Sequence, residues 1–392
     1  MNSKKVLHVI AGMNPEMGGV CKAVRLMIAG LETMQIKNEV VSLDSPTAAY
    51  LSIDSFPIHA LGPGKSAWCY SQNLLPWFNK NLERFDVVIV HGVWLYPGFA
   101  VTKAISRFKK KEQDTPNVFV MPHGMLDPYF QKTSGRKLKA IRNTIFWKFV
   151  EHKMINNAHG LLFTSEMEKQ LAKKTFRKYK PQREIVVGLG IDNPPTFNET
   201  MTSVFKDLIR SDFQDPYWLY ISRIHQKKGV DLLVKAYVNL KRTYTNLPRL
   251  LIAGPGLETD YGRHVQQLAS ESSDIYFTGM LQGHAKWGAF YGCEAFILPS
   301  HQENFGIAIV EAMACGKPVL ITNQINIWKE IKDSGAGIVT EDTQEKTEDM
   351  LKYWRNLSLH ERQTMGVRAK NCFQNYFSLH AATQRLQAVI NN

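Results

Sequence analysis

Glu303 and Glu311 stand eight positions apart in the stretch ENFGIAIVE, separated only by apolar residues, one asparagine and one glycine. Residues 295–299, AFILP, read as the end of a buried strand, and Ser300 to Gln302 as loop. From Gly306 onward Ile307, Val310 and Ala314 recur at helical spacing until Cys315 and Gly316. Glu303 therefore precedes a helix and Glu311 lies inside it, which sets the carboxylates roughly 8 to 12 Å apart along the axis. Between them fall the unpaired N–H groups of the first turn and the positive end of the helix dipole, a site for an anion. The layout suits a ligand with an anionic centre and a hydroxyl-rich group at each end, such as a nucleotide-diphosphate sugar. Two glutamates that merely complement the helix dipole would read the same way.

Three further features sit at strand ends. AGMNPEMGGV runs from a strand into a loop that closes on Gly18 and Gly19 at a helix start, where paired glycines let a ligand approach backbone N–H groups. SRIHQKKG places Arg223 and Lys228 five residues apart between a strand and a helix; arginine offers a planar fork to phosphate oxygens and lysine a point charge. MPHGMLDP puts His123 at a strand end before glycine. Each has a plainer alternative: an ordinary turn, a solvated basic loop, a structural histidine.

Parallel α/β architecture must position these residues. Apolar runs at 5–11, 85–91, 117–123 and 160–165 alternate with helical patterns, and the rhythm returns at 218–222, 249–254, 275–279, 295–299, 318–322 and 337–340. Continuous apolar strands followed by helices predict parallel sheets covered on both faces. GLGIDNPPTFNET, residues 188–200, lacks periodicity and reads as a linker. The expected organisation is a Rossmann-like domain over residues 1–190, binding an acceptor, and a second over 191–375, binding a nucleotide sugar. A C-terminal helix over 376–392 is expected to return to the first. Ligands of such sheets lie beyond the carboxyl ends of the strands, and two such edges would face across a cleft.

The chain has 392 residues, 44% hydrophobic and 21% charged, enough for two cores. No apolar run is long enough to span a bilayer, and MNSKKVLHVIAGM reads as a first strand rather than a signal peptide. Five scattered cysteines read as reduced thiols of a cytoplasmic protein, without a disulfide frame or zinc site. Of the net charge of +13, +11 falls within residues 1–200. Residues 132–153 carry seven basic residues and one acid, with Leu138, Ile141, Ile145 and Phe149 on one helical stripe flanked by Trp147. Such a helix either lies on anionic lipid at a membrane's inner face or packs on its own domain.

Taken in order and spacing, these motifs resemble the retaining glycosyltransferases of family 4, which have the two-domain GT-B fold. Gly18-Gly19 matches the glycine pair after the first strand, and Arg223, Lys228 and Gly229 match the basic pair. Glu303 and Glu311, with Phe305-Gly306 between them and Gly316-Pro318 closing the helix, match the paired-glutamate signature. Ser222 and Asn304 depart from the family, which usually has glycine at both places. The resemblance implies that Arg223 and Lys228 hold the donor pyrophosphate, Glu311 the ribose, and Glu303 the hydroxyls of the transferred sugar. It places His123 near the sugar's C6 hydroxyl and the N–H groups of Asn304, Phe305 and Gly306 near the sugar or β-phosphate. Gly254, Met280 and Leu281 would wall the base, while His91 ranks below His123 as an acceptor-side or structural residue.

The reaction so implied is retaining transfer of a hexose from a nucleotide-diphosphate sugar to a glycan or lipid-linked acceptor, as in cell-surface polysaccharide or glycolipid synthesis. No cofactor or metal is expected, since the chain lacks an Asp-x-Asp pair and Arg223 and Lys228 would supply the charge. A glycoside hydrolase would also use two carboxylates but has no need of a pyrophosphate site. The basic balance carries no recognised nucleic-acid motif or aromatic platform. A non-catalytic sugar-nucleotide binder of the same fold, or a nucleotide-sugar hydrolase or epimerase, are the remaining alternatives.

Overall fold

The computed structural model describes residues 4–132, 137–209 and 216–392, which form two units, residues 1–190 with 379–392, and residues 191–378. The division falls inside the expected linker, and the second unit runs three residues beyond the expected boundary.

The first unit holds a seven-stranded parallel sheet of β1 (Lys5–Val9), β2 (Lys37–Ser42), β3 (Ile58–Ala60), β4 (Val87–His91), β5 (Asn117–Met121), β6 (Gly160–Phe163) and β7 (Glu184–Val186), in the order β3-β2-β1-β4-β5-β6-β7. The second holds β8 (Tyr217–Ile221), β9 (Arg249–Ala253), β10 (Ile275–Gly279), β11 (Ala295–Leu298), β12 (Val319–Thr322) and β13 (Gly337–Thr340), in the order β10-β9-β8-β11-β12-β13. The central strands are apolar throughout because helices cover both faces: Val87 to Val90 are all buried, as are Ala295 to Leu298. β2, β3 and β7 are absent from the sequence reading. β2 opens on the polar run Lys-Asn-Glu, while β3 and β7 are three-residue, half-buried edge strands with no apolar run to betray them.

Strand order reverses between β1 and β4 in the first sheet and between β8 and β11 in the second. At such switch points successive crossovers lie on opposite faces and leave a crevice beyond the strand ends. The helix Leu379–Asn391 packs on the helix Gly19–Thr33 within the first unit. Thr383 Oγ1 fills the place a side chain at Gly30 would occupy. All five cysteines are free thiols.

Candidate functional site

In the second unit, β8 and β11 flank the switch point, and both loops that follow them carry candidate residues. After β8 the chain passes Ser222 and the exposed Arg223, buries Ile224, and makes a 3-10 turn over Gln226–Lys228. His225 Nδ1 accepts from the Lys227 N–H at 3.1 Å and starts that turn. Gly229 ends it in the left-handed region, φ 63°, and a Cβ there would lie 2.0 Å from the Pro299 carbonyl oxygen. Glycine is therefore required both by the backbone angle and by the neighbouring loop.

The two loops are tied together. Ser300 Oγ and the His301 N–H each donate to the Lys227 carbonyl at 2.9 Å. Glu303 is held from its other side, its N–H donating to Gln324 O at 3.1 Å and its carbonyl accepting from Asn326 N at 2.9 Å. Lys228 Nζ and Glu303 Oε2 consequently meet in a close ion pair, with side chains only 9% and 20% exposed. Glu303 Oε1 accepts from the Asn304 N–H at 3.1 Å, and Asn326 Nδ2 donates to Asn304 Oδ1 at 3.1 Å. Burial first, and then the like charges of Lys227 and Arg223, push the Lys228 ammonium down to about 7, against the pull of Glu303.

The helix expected between the glutamates spans Ile307–Ala314, with Gly306 at its N-cap. Glu311 lies within it, buried, and Glu311 Oε1 accepts from Lys286 Nζ at 3.0 Å. Lys286 comes from the helix Gly283–Gly292, and its ammonium sits 4.1 Å over the Trp287 ring. Both carboxylates are thus lysine-paired, which the sequence reading did not foresee. Lys228 is expected at phosphate, and Lys286, 25 residues from Glu311 on another helix, carries no local signal of the contact. Lys228 is buried, and an unpaired charge at that depth is costly, so it pairs with the neighbouring carboxylate.

The remaining expected residues of this unit divide by exposure. Met280 is 63% exposed and Leu281 is buried. Phe305 is buried edge-on against Phe377, 5.7 Å between centroids, so its backbone alone is left for a ligand. Gly254 donates its N–H to Gly279 O at 2.8 Å, and a Cβ there would lie 1.9 Å from Ser222 O. Close packing of the three strand ends accounts for that glycine.

In the first unit, Gly18, φ 100°, caps the helix Gly19–Thr33, and among the described residues beyond its own neighbours a Cβ on either glycine would meet nothing within 4 Å. His123 follows β5 with φ 52°, half-buried, and the next N–H, that of Gly124, donates to the buried carboxylate of Glu168. His91, at the end of β4, is buried, and its Nδ1 lies 2.9 Å from His123 Nε2. Burial pushes His123 down to about 4. Glu168 and Asn326, which hold the loops, were not legible in the sequence, because each acts on backbone or amide groups brought to it by the fold.

The basic segment is described at Lys132 and from Lys137 onward. Residues 133–136 lie outside the described residues. The helix Lys137–Phe146 and the π-helical turn Trp147–Glu151 leave Leu138, Ile141, Ile145 and Phe149 between 52% and 84% exposed. Trp147, expected beside the stripe, is buried instead: its ring stacks on Phe176 at 4.7 Å and its Nε1 donates to Arg177 O at 2.7 Å. No helix among the described residues is long and apolar enough to cross a membrane.

Residues 206–371 match the family described as Glycosyl transferases group 1, a span that contains Arg223, Lys228, Glu303 and Glu311. Among curated proteins, the chain is 25% identical over 223 residues to the O-antigen chain mannosyltransferase C of Escherichia coli, covering 56% of each chain. It is 25% identical over 181 residues to the lipopolysaccharide 1,2-N-acetylglucosaminetransferase of Salmonella typhimurium, covering 44% of this chain and 48% of that one. The chain spans about half the length of these relatives. Among solved structures, a glycosyltransferase from Rickettsia africae superposes with a TM-score of 0.75 at 15% identity, covering 100% of this chain and 98% of that one. Anabaena Alr3699/HepE in complex with UDP and glucose does so with a TM-score of 0.72 at 15% identity, covering 99% of each. These likenesses show the GT-B fold.

Proposed function

We propose that this chain, whose residues 206–371 match the family of group 1 glycosyl transferases, moves a hexose from a nucleotide-diphosphate sugar to a hydroxyl of a glycan or lipid-linked acceptor. The observation that carries the reading is the pair of lysine-bound carboxylates, Glu303 with Lys228 and Glu311 with Lys286, set before and within one helix at the switch point of the second sheet. The relatives named for O-antigen mannosyl transfer and lipopolysaccharide N-acetylglucosaminyl transfer support the substrate class.

In this reading the donor diphosphate lies against Arg223, Lys228 and the N–H groups at Gly306. It displaces Glu303 from Lys228 and frees that carboxylate for sugar hydroxyls. Glu311, oriented by Lys286, takes the ribose hydroxyls, and Met280 borders the base. Negative charge develops on the departing diphosphate as the anomeric bond breaks. Arg223, and Lys228 once it is freed from Glu303, stabilise that state, so they perform the work of a divalent ion. The departing phosphate takes up the acceptor's proton on the face it leaves, and the configuration is retained.

The deciding experiment incubates the protein with a panel of UDP-, GDP- and ADP-sugars, with and without glycan and lipid-linked acceptors, in excess chelator. We expect transfer to one acceptor class, an NMR-visible linkage of unchanged anomeric configuration, and little free sugar. Acceptor-independent release of sugar would favour a hydrolase. A strict requirement for magnesium or manganese would remove the cation assignment, and an inverted linkage would remove the retaining mechanism.

The glutamates separate the two ends of the donor. Glu303→Gln is expected to lower turnover while sparing the affinity for free nucleotide diphosphate. Glu311→Gln should weaken that affinity about tenfold or more, the worth of a charge-assisted hydrogen bond. Calorimetry on both variants checks this, and exchanged phenotypes would reverse the placement of sugar and ribose.

The exposed stripe suits an acceptor held at a membrane. Leu138, Ile141, Ile145 and Phe149 are open to solvent among Lys137, Lys139, Arg142 and Lys148, and each basic group near an anionic surface contributes on the order of 1 kcal/mol. Reversible binding to anionic vesicles is expected, weakened by salt and by changing Lys137, Lys139 and Arg142 to glutamate. Equal, negligible co-sedimentation with anionic and neutral vesicles at low salt would leave the stripe without that role.

A further inference from the structure

Three histidines from three loops and strands of the first sheet form one hydrogen-bonded row. His123 Nε2 lies 2.9 Å from His91 Nδ1, His91 Nε2 lies 3.0 Å from His8 Nδ1, and His8 Nε2 lies 3.2 Å from Asn38 Oδ1. Successive rings stack with centroids 5.2 Å apart. His8 and His91 are buried, His8 completely, while His123 is half-buried at the strand end.

The inner end of the row has a determined polarity. Asn38 Nδ2 donates to the Ile36 carbonyl at 2.9 Å. A carbonyl only accepts, so the amide nitrogen faces it and the amide oxygen faces His8. Burial holds the imidazoles neutral at pH 7: His8 and His123 are pushed down to about 4, and His91 falls well below the usual histidine range, by burial first and then by its two histidine neighbours. A neutral imidazole has one donor and one acceptor nitrogen. His8 must then donate from Nε2 to Asn38 and accept at Nδ1. His91 must donate from Nε2 to His8 and accept at Nδ1, and His123 must donate from Nε2 to His91.

We propose that Asn38, His8 and His91 are positioning residues that lock His123 in its Nε2–H tautomer, so that it presents an unprotonated Nδ1 as an acceptor for a sugar hydroxyl. The tautomer follows from the row alone, whereas the hydroxyl rests on the transfer reading. A bare Nδ1 takes a hydrogen bond from a hydroxyl but has none to give to a phosphate or carbonyl oxygen, so the lock selects the kind of group that His123 can face. The row also cannot export a proton, because its last member, the Asn38 amide oxygen, has no site for one. In the transfer reading His123 orients a hydroxyl, and the departing phosphate takes the acceptor's proton.

The test is NMR of the full chain with ¹⁵N-labelled histidine at pH 7, which distinguishes protonated from bare ring nitrogens. His8, His91 and His123 are each expected as a single Nε2–H tautomer. A His123 protonated at Nδ1, or on both nitrogens, would overturn the proposal. In His91→Asn the side-chain oxygen stands near the former Nδ1 and still accepts, so the single tautomer of His123 should persist. In His91→Leu both tautomers should appear, and a His123 that stays locked there would refute the role of the row. Should His91→Leu fail to fold, the unsubstituted spectrum and His91→Asn still decide. In the transfer assay, His91→Leu should lose about five- to tenfold, the worth of one hydrogen bond, with His91→Asn recovering most of it. Transfer by a protein whose His123 shows mixed tautomers would sink the lock alone. A locked His123 in a protein that transfers no sugar would support the lock and sink the transfer reading.

Discussion

Replacing Lys228 with alanine is expected to lower sugar transfer by about 10² to 10³, the loss typical of removing one preorganised group that stabilises a developing anion. Arg223→Ala should fall in the same range, and the two variants answer different objections. Lys228 is buried and paired with Glu303, so its removal strands a carboxylate that is itself only 20% exposed. An unpartnered buried group of this kind costs on the order of 1 to 3 kcal/mol of stability, which could mimic a catalytic defect. Arg223 is exposed, and its loss should leave the thermal midpoint almost unchanged. Single-turnover rates and melting curves of both variants check this. If Arg223→Ala transfers sugar normally and Lys228→Ala loses only stability, the ion pair is structural and the diphosphate lies elsewhere.

The first unit is expected to be most stable near pH 6.5, with stability falling on either side, and the sign follows from the buried His8, His91 and Glu151 and the half-buried His123. His8, His91 and His123 have folded values below the ordinary 6.5, His8 and His123 at about 4. Their stabilising contribution is complete above pH 6.5 and is lost as the pH falls, because the unfolded chain binds protons that the folded unit refuses. Glu151 has the opposite sign: burial raises its carboxyl to about 8, opposed by the hydrogen bond from Trp94 N at 3.0 Å. Its contribution is complete below pH 4.5 and is lost as the pH rises through 8. Between pH 6.5 and 4.5 the three histidines oppose a single glutamic acid, and stability should fall as the pH falls. Between 6.5 and 8 the glutamic acid acts alone, for about 2 kcal/mol. Denaturant titrations followed through the tryptophans of each unit would check this. A first unit whose stability holds or rises from pH 6.5 to 4.5 would contradict it, and Glu151→Gln should flatten the alkaline limb alone.

The sequence by itself determined the parallel α/β architecture and the helix between the two glutamates. Strands such as β4 and β11 are buried on both faces, so their apolar runs are continuous and can be read without any partner. The helix Ile307–Ala314 carries its start and stop in local residues, Gly306 before it and Cys315-Gly316 after it. β3 and β7 escaped because a three-residue edge strand is made by its neighbour's hydrogen bonds, which leave no local pattern. The amphipathic stripe at Leu138 to Phe149 was legible as a stripe, but its exposure was not, since a buried helix face and an open one have the same spacing. Only the tertiary structure decided which charges and rings meet. Glu311 finds Lys286 through the packing of two helices. Lys228 finds Glu303 because the loops after β8 and β11 are tied at Lys227. The row from His123 to Asn38 exists because strand order places β1 between β2 and β4, with β5 next. Hydrogen bonds and ion pairs act over about 3 Å, a distance that sequence spacing controls within one helix turn and that only the fold controls across 25 or 83 residues.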